Sequence, residues 1–269
     1  MDTPSDVVGR TGAVLRAVSV AEPAGATTSA VARRTGLARP TVHRLLASLL
    51  SEGLVDRDPA GRWLLGPELY LLGTTAAPRY DVTALAQPVV RQLALATGES
   101  AFFSARRGNE TVCLLREDGS FPIRSHVLHE GIRFPLGVGT AGLAILAYLG
   151  DNEIEEYLAR ADLTTSYGEQ HGRDAVRERV ATTRTQGYAI NPGLIVEGSW
   201  GMGAAVFDAE EQPRWALSLT GIEQRFGTDR RGELGELLLR AAHQLTRTLR
   251  PRSPGPVAPP QRFNDPPSG

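Results

Sequence analysis

Residues 35–54 constrain the fold of this chain more than any other segment. Within them, aliphatic residues recur at positions i, i+3, i+4 and i+7, which places them along one stripe of a predicted helix: Val42, Leu45, Leu46 and Leu49. We expect Pro40 in the first turn of this helix, because proline has a fixed φ and lacks an N–H group. The segment predicts the second helix of a helix-turn-helix, with its apolar stripe facing a core.

The flanking residues complete a winged helix. Upstream, we expect Thr28 or Ser29 to cap a shorter helix that ends at Gly36, where glycine permits a left-handed backbone. Residues 14–18 have the apolar spacing of a supporting helix, and residues 54–65 are typical of two short strands around a turn rich in Asp, Pro and Gly. The sequence therefore predicts a mainly α domain with a small β wing.

Charge in this region is strongly local. Residues 31–50 contain four arginines and one histidine but no aspartate or glutamate, although the whole chain has a formal net charge of −1. Amphipathic helix pairs with arginines also occur in domains that never bind nucleic acid, but a local excess of positive charge favours a phosphate-contacting face. The predicted DNA contacts of this helix are Arg39, Thr41, His43 and Arg44, with Pro40 on the same DNA-binding face, and the predicted phosphate contacts are Arg33, Arg34 and Arg62.

The second half of the chain mixes short apolar runs with amphipathic segments, which predicts an α+β domain. Residues 191–203 are predicted to form a loop whose glycines permit rearrangement. The predicted helices are 68–72, 82–96, 141–149, 153–161, 174–185 and 228–249, and the predicted strands are 101–103, 111–115, 123–127, 203–208 and 215–220.

Several motifs in these segments resemble one protein family. Residues 35–46, 52–55 and 62–67 are similar to the N-terminal domain of IclR-type transcriptional regulators, and 131–136, 187–189 and 217–221 are similar to landmarks of that family's ligand-binding domain, in the same order. The resemblance covers roughly residues 10–250 and implies a GAF-like effector-binding domain, together with dimers that are often paired into tetramers. We expect the chain to comprise a tail (1–9), a winged helix-turn-helix (10–73), a connecting helix (74–98), the GAF-like domain (99–250) and a disordered tail (251–269), which is rich in proline and lacks aliphatic periodicity.

A glycine-rich segment, residues 137–142, matches the G-x-G-x-x-G pattern of dinucleotide-binding turns. That use requires a buried strand directly before it, and Pro135 argues against one. The alternative is a helix N-terminus that attracts a carboxylate. The resemblance implies that this loop offers backbone amides to an organic acid, and it adds other ligand-facing positions; the full predicted effector set is Gly139, Thr140, Ala141, Asn191, Trp200, Gly201, Ser218 and Thr220.

The sequence contains no recognisable catalytic set. His126, His129 and Glu130 lack the order of a helical zinc motif, Ser199 is outside a nucleophile elbow, and Cys113 lies in an apolar run. We therefore expect no metal and no cofactor. A single cysteine, no signal segment and no apolar run near twenty residues favour a cytoplasmic protein without a membrane partner.

The sequence thus predicts a ligand-responsive regulator that binds a palindromic operator in double-stranded DNA as a dimer or tetramer. A small metabolite, expected to be an organic acid, would shift the population of conformations that bind the operator. The rival hypothesis is an enzyme, such as a methyltransferase, in which the winged helix serves only dimerisation. The sequence does not distinguish repression from activation.

Overall fold

The computed structural model describes residues 6–77 and 82–249, and the chain divides between positions 81 and 82 into two compact units. This division falls inside the predicted connecting segment 74–98. The predicted tail 251–269 lies outside the described residues, whereas the last residues of the predicted tail 1–9 already belong to a helix. The two units are described in turn.

The first unit is a winged helix built on three helices. Its elements are α1 (Val7–Ser19), α2 (Thr28–Thr35), α3 (Arg39–Ser51), β1 (Val55–Arg57), β2 (Trp63–Leu65) and α4 (Pro67–Ala76). Val42, Leu46 and Leu49 are buried on one side of α3, as the periodicity predicts, and pack with Val14 and Trp63 in the core of this unit.

Local chemistry sets the ends of α2 and α3. Thr27 caps α2, because its extended backbone lets Oγ1 accept the Ala30 N–H at 3.2 Å. The predicted caps, one and two residues later, are wrong: Thr28 is already helical, and its Oγ1 accepts the indole N–H of Trp63 at 2.9 Å. Gly36 ends α2 with φ +67°, and Pro40 is the second residue of α3.

The second unit is built on a six-stranded antiparallel sheet in the order β5-β4-β3-β8-β7-β6. Two long helices, α5 and α10, pack on one face of this sheet, and α6 packs on the other. Its elements are α5 (Val82–Thr97), β3 (Ser100–Arg107), β4 (Glu110–Glu117), β5 (Arg133–Pro135), α6 (Thr140–Ala147), α7 (Asp151–Arg160), α8 (Thr164–Tyr167), α9 (Arg173–Gln186), β6 (Ala189–Pro192), β7 (Ser199–Phe207), β8 (Pro213–Ile222) and α10 (Thr228–Leu249). The expected α+β architecture is confirmed.

Two predictions about this unit are wrong. Residues 123–127 form no strand; Ile123 is 65% exposed, and the segment runs as a loop between β4 and β5. The predicted loop 191–203 is a loop only between β6 and β7, because Asn191 pairs with Gly201 in the sheet. Position 203 of this strand is occupied by glycine for a packing reason: a Cβ there would lie 2.7 Å from the carbonyl oxygen of Thr140 in α6.

Candidate functional site

The outer face of α3 carries the residues predicted to contact DNA. Arg39, Pro40, His43 and Arg44 are exposed, and Thr41 is half-buried. Within the described part of the chain, Arg39, His43 and Arg44 form no hydrogen bond or ion pair through their side chains. Arginine can donate two parallel hydrogen bonds to the O6 and N7 atoms of guanine. This face is therefore available to base edges in a major groove.

The predicted phosphate contacts fall into two places. Arg33 and Arg34 lie in the last turn of α2, where both are exposed and have no partner among the described residues. Arg62 lies in the wing directly before β2, and its Nη1 donates to the carbonyl of Ala24 at 2.9 Å, so part of this guanidinium already holds the wing in place. Its remaining N–H groups can still contact a phosphate.

The wing contains one more basic residue that the sequence analysis did not single out. Arg57 lies opposite Trp63 across the two strands, with its guanidinium carbon 5.2 Å from the indole centroid. Its Nε donates to the Gly61 carbonyl at 3.2 Å. The signal that could have revealed it is the strand register, which places an arginine and a tryptophan directly opposite each other.

In the second unit, a cavity lies between the N-terminus of α6 and the sheet. It encloses about 510 Å³ of space between atoms, counting its opening. Within this space, the volume that the centre of a water molecule could occupy is only about 40 Å³. The cavity is therefore narrow and suits a small ligand. Of the predicted effector residues, Ser218 alone is not in its lining, which includes Gly139, Thr140, Ala141, Asn191, Trp200, Gly201 and Thr220.

The N-terminus of α6 lies at this cavity, where Gly139, Thr140 and Ala141 form part of the lining. Gly139 is the N-cap in an extended conformation, and the first helical hydrogen bond runs from Leu143 N–H to the Gly139 carbonyl at 2.9 Å. The amides of Thr140 and Ala141 precede that bond, so they are among the groups that a helix leaves unpaired. Such amides, together with the helix dipole, favour an anion.

Two hydroxyl groups on β8 are buried without a partner. Ser218 and Thr220 are two residues apart on the strand and therefore face the same side of the sheet. Ser218 is completely buried and Thr220 is 5% exposed, and neither side-chain oxygen makes a hydrogen bond to any of the described residues. Thr220 lines the cavity, so its hydroxyl can donate to or accept from a ligand.

Asn191 and Trp200 are already engaged. The Asn191 amide donates to the Val138 carbonyl at 3.2 Å, and its Oδ1 accepts the Leu194 N–H at 2.8 Å. The Trp200 ring packs near Phe226 and under the guanidinium of Arg231, at 6.5 and 5.3 Å between their centres. Asn191 therefore shapes the wall of the cavity, and the Trp200 ring packs on the α10 side of the sheet.

The loop before β5 forms a wall of the cavity that the sequence analysis missed. The Ser125 and Ser199 hydroxyl oxygens lie 2.6 Å apart, which ties this loop to the start of β7. The residues of this loop show no periodic pattern, so the sequence does not indicate that they line the cavity. Only the folded chain brings the loop there. The additional lining residues are Ser104, Thr111, Cys113, Val127, Leu128, Ile132, Phe134, Ile195 and Ser199.

Cys113 lies in this lining as a protonated thiol. It is buried, as the apolar run predicts, and burial raises its pKa to about 12. A thiol with such a pKa is a poor nucleophile at neutral pH. Within residues 6–77 and 82–249, no group of three or more His, Cys, Asp or Glu side chains is arranged to hold a metal ion.

The glycine-rich segment 137–142 lacks the context of a nucleotide-binding turn. The strand before it, β5, is three residues long and lies at the edge of an antiparallel sheet. A dinucleotide-binding turn instead follows a buried strand of a parallel sheet.

Among the helices that the structure describes, none combines the length and the apolar character that crossing a membrane requires.

Two family models match the chain. Residues 7–59 match the IclR helix-turn-helix domain, and residues 74–247 match the C-terminal domain of the bacterial transcriptional regulator IclR. Together they cover most of both units.

Curated and solved relatives agree with these matches. The chain is 29% identical over 224 residues to the HTH-type transcriptional regulator KipR of Bacillus subtilis, covering 83% of this chain and 89% of that protein. It is 30% identical over 227 residues to the glycerol operon regulatory protein of Streptomyces coelicolor, covering 82% and 86%. An IclR homologue from Microbacterium hydrocarbonoxydans, crystallised with 4-hydroxybenzoate, has the same fold, with a TM-score of 0.72 at 24% identity, covering 90% of this chain and 98% of that one.

Proposed function

Because the chain belongs to the IclR family of bacterial transcriptional regulators, we propose that α3 reads an operator and that a small organic acid, bound beside α6, controls this binding. The chain is a DNA-binding transcriptional regulator whose C-terminal domain binds small-molecule effectors. The proposal adds the residues that contact DNA, the chemical class of the effector and the oligomeric state.

The observation that carries the DNA-binding proposal is the unpaired basic face of α3. Arg39, His43 and Arg44 are exposed on a helix that has no acidic residue, so no intramolecular partner has to be displaced before DNA binds. We assign these residues, with Pro40 and Thr41, to base edges. Arg33, Arg34 and Arg62 take the phosphates, which fix orientation without reading sequence.

One recognition helix contacts only a few base pairs, so we propose that at least two copies bind a palindromic operator. The family resemblance makes a dimer, or a pair of dimers, the natural assembly. We place its action in the cytoplasm, where a bacterial chromosome lies, and assign it no catalytic step, because its relatives are regulators.

For the effector, we propose a small carboxylate. Its negative charge would meet the first amides of α6, and the unpaired hydroxyl of Thr220 would donate a further hydrogen bond. The apolar side chains of the cavity wall suit a compact hydrocarbon body. The relative crystallised with 4-hydroxybenzoate, itself an aromatic carboxylate, supports this class of ligand.

The DNA proposal is tested by binding of the full chain to fragments from around its own gene, at stated salt concentrations. We expect one fragment to bind at least about a thousandfold more tightly than unrelated DNA. An Arg39→Ala, Arg44→Ala variant should lose this preference, since each bidentate base contact contributes about 1–3 kcal/mol. A matched control is Arg160→Ala, Arg240→Ala, which removes two exposed arginines from the second unit. Equal binding by both double variants would refute the assignment.

The effector proposal is tested with pairs of acids and their neutral amides, such as benzoate with benzamide and acetate with acetamide. Calorimetric titration of the full chain should show binding of an acid and no binding of its amide. Thr220→Val, which keeps the side-chain shape but removes the hydroxyl, should weaken that binding. Equal binding of acid and amide would contradict the proposal of an anion at α6.

A further inference from the structure

A second groove in the C-terminal unit lies between α9 and β6. Ile190 and Pro192 of β6 line this groove, whereas Asn191 between them lines the effector cavity, so alternate side chains of this edge strand face the two spaces. The groove is open to solvent and encloses about 940 Å³ of space between atoms, counting its opening. A small metabolite can therefore enter it from solution.

Two arginines in the lining of this groove have no carboxylate partner. Arg179 of α9 donates to the carbonyls of Gln170 and Ala175 at 3.1 and 3.4 Å, and its Nη1 is buried without an acceptor. Arg231 of α10 donates to Thr228 at 3.2 Å, and its Nε is likewise buried without an acceptor. Among the described residues, neither guanidinium forms an ion pair.

The absence of a carboxylate partner is not a general property of this helix. On the same helix α9, Arg173 and Arg177 both form ion pairs with Glu155, at 2.8 and 2.6 Å. Burial lowers the pKa of Arg179, because the charged form loses solvation. Since arginine stays charged in proteins, this desolvation is a standing cost that a bound anion would offset.

The composition of the groove indicates which anion fits. Glu178 is the one acidic residue of the lining, and it pairs with neither arginine, so the lining has a formal charge of +1. The groove also offers aliphatic surface from Leu143, Ile190 and Leu194. A single negative charge on an apolar body matches both features, and the planar guanidinium favours a carboxylate.

We infer that this groove is a second ligand site, separate from the effector cavity, which binds a short aliphatic monocarboxylate at Arg179 and Arg231. Its occupant touches β6 and the residues that follow it, which also frame the effector cavity. The Leu194 N–H, for example, holds the Asn191 side chain at 2.8 Å, while Leu194 itself lines the groove. The site is therefore placed to modulate the effector cavity through this shared wall.

The test is calorimetric titration of the full chain with hexanoate, its neutral isostere hexanamide, and inorganic phosphate. Wild-type protein should bind hexanoate with roughly millimolar or better affinity and hexanamide not measurably. Arg179→Gln, Arg231→Gln should weaken hexanoate binding at least about tenfold, since two charge-assisted contacts are lost. Arg160→Gln on the surface of α7 should leave it within about twofold.

Thermal unfolding of each variant checks that it is folded, and Arg231→Gln alone serves if the double variant is not. Three outcomes would overturn the proposal: hexanoate and hexanamide binding equally, the loss occurring in Thr220→Val instead of the arginine variant, or no hexanoate binding to wild type. Tighter binding of phosphate than of hexanoate would overturn the carboxylate assignment.

Discussion

Removing the hydroxyl of Ser218 should make the free protein more stable. This side chain is completely buried, and its oxygen has no hydrogen-bond partner in the part of the chain that the structure describes. An unpaired buried hydroxyl costs about 1–3 kcal/mol of desolvation that no bond offsets. Ser218→Ala removes that cost and loses only one oxygen atom of packing.

The expected gain in unfolding free energy is about 1 kcal/mol, which corresponds to a rise in Tm of roughly 2–4 °C for a domain of this size. The sign is opposite to that of most point substitutions, which lower the unfolding free energy by about 1 kcal/mol. Differential scanning calorimetry, read at the transition of the second unit, measures the change. The direction of the shift is therefore the informative result.

Thr97→Val is a matched control on a hydroxyl that is paired. Thr97 is also buried, but its Oγ1 donates to the Leu93 carbonyl at 2.8 Å and accepts the Glu99 N–H at 3.2 Å. This variant should lose about 1 kcal/mol, because the substitution breaks both bonds. If Ser218→Ala lost as much stability as Thr97→Val, the Ser218 hydroxyl would have to be bonded, and the reasoning would be refuted.

Three further predictions concern other parts of the chain. Glu99 is 1% exposed and accepts hydrogen bonds from two arginines at 2.7–2.9 Å, so Glu99→Ala should lower the unfolding free energy by about 3–5 kcal/mol in urea denaturation. Glu156→Ala, which removes an exposed ion pair, should lower it by less than about 1 kcal/mol. Similar losses in the two variants would contradict this prediction. Burial raises the pKa of Cys113 to about 12, so its thiol should react with a thiol reagent at pH 8 only after unfolding. Its contribution to stability should fall as the pH rises above 9, because the thiol of the unfolded chain then loses its proton first. Rapid reaction of the native protein would disprove the burial of Cys113. Arg33→Gln, Arg34→Gln should weaken binding to all DNA sequences alike and reduce the slope of log affinity against log salt by about 2, whereas an unchanged slope would remove these residues from the phosphate contacts.

The helices were the part of the fold most accessible from sequence. Helix α10 runs over the predicted residues 228–249, and α5 ends one residue beyond its predicted bound. These helices have a clear apolar stripe that packs on the sheet, so local periodicity reports their long-range contacts faithfully. The apolar stripe of α3 and the glycine end of α2 follow from the same local chemistry.

The misses arose where a residue's role depends on a distant part of the chain. Gly201 and Gly203 suggested a loop, yet they lie in β7, because the N-terminus of α6 approaches that strand closely. The loop that covers the cavity contributes side chains that no sequence spacing connects to α6. Ser218 lies on the same strand face as Thr220 but does not line the cavity. The alternation of a strand predicts which face a residue lies on, but not how deeply it is buried.

The most direct test of the account is whether a ligand in the cavity changes DNA binding. Operator affinity of the full chain should be measured with and without the carboxylate that binds most tightly in the acid and amide titrations, for wild type and Thr220→Val. We expect saturating acid to change the operator affinity of wild type by at least about fivefold, and the variant to need more acid for the same effect. An acid that binds at Thr220 and leaves operator affinity unchanged would contradict the central claim.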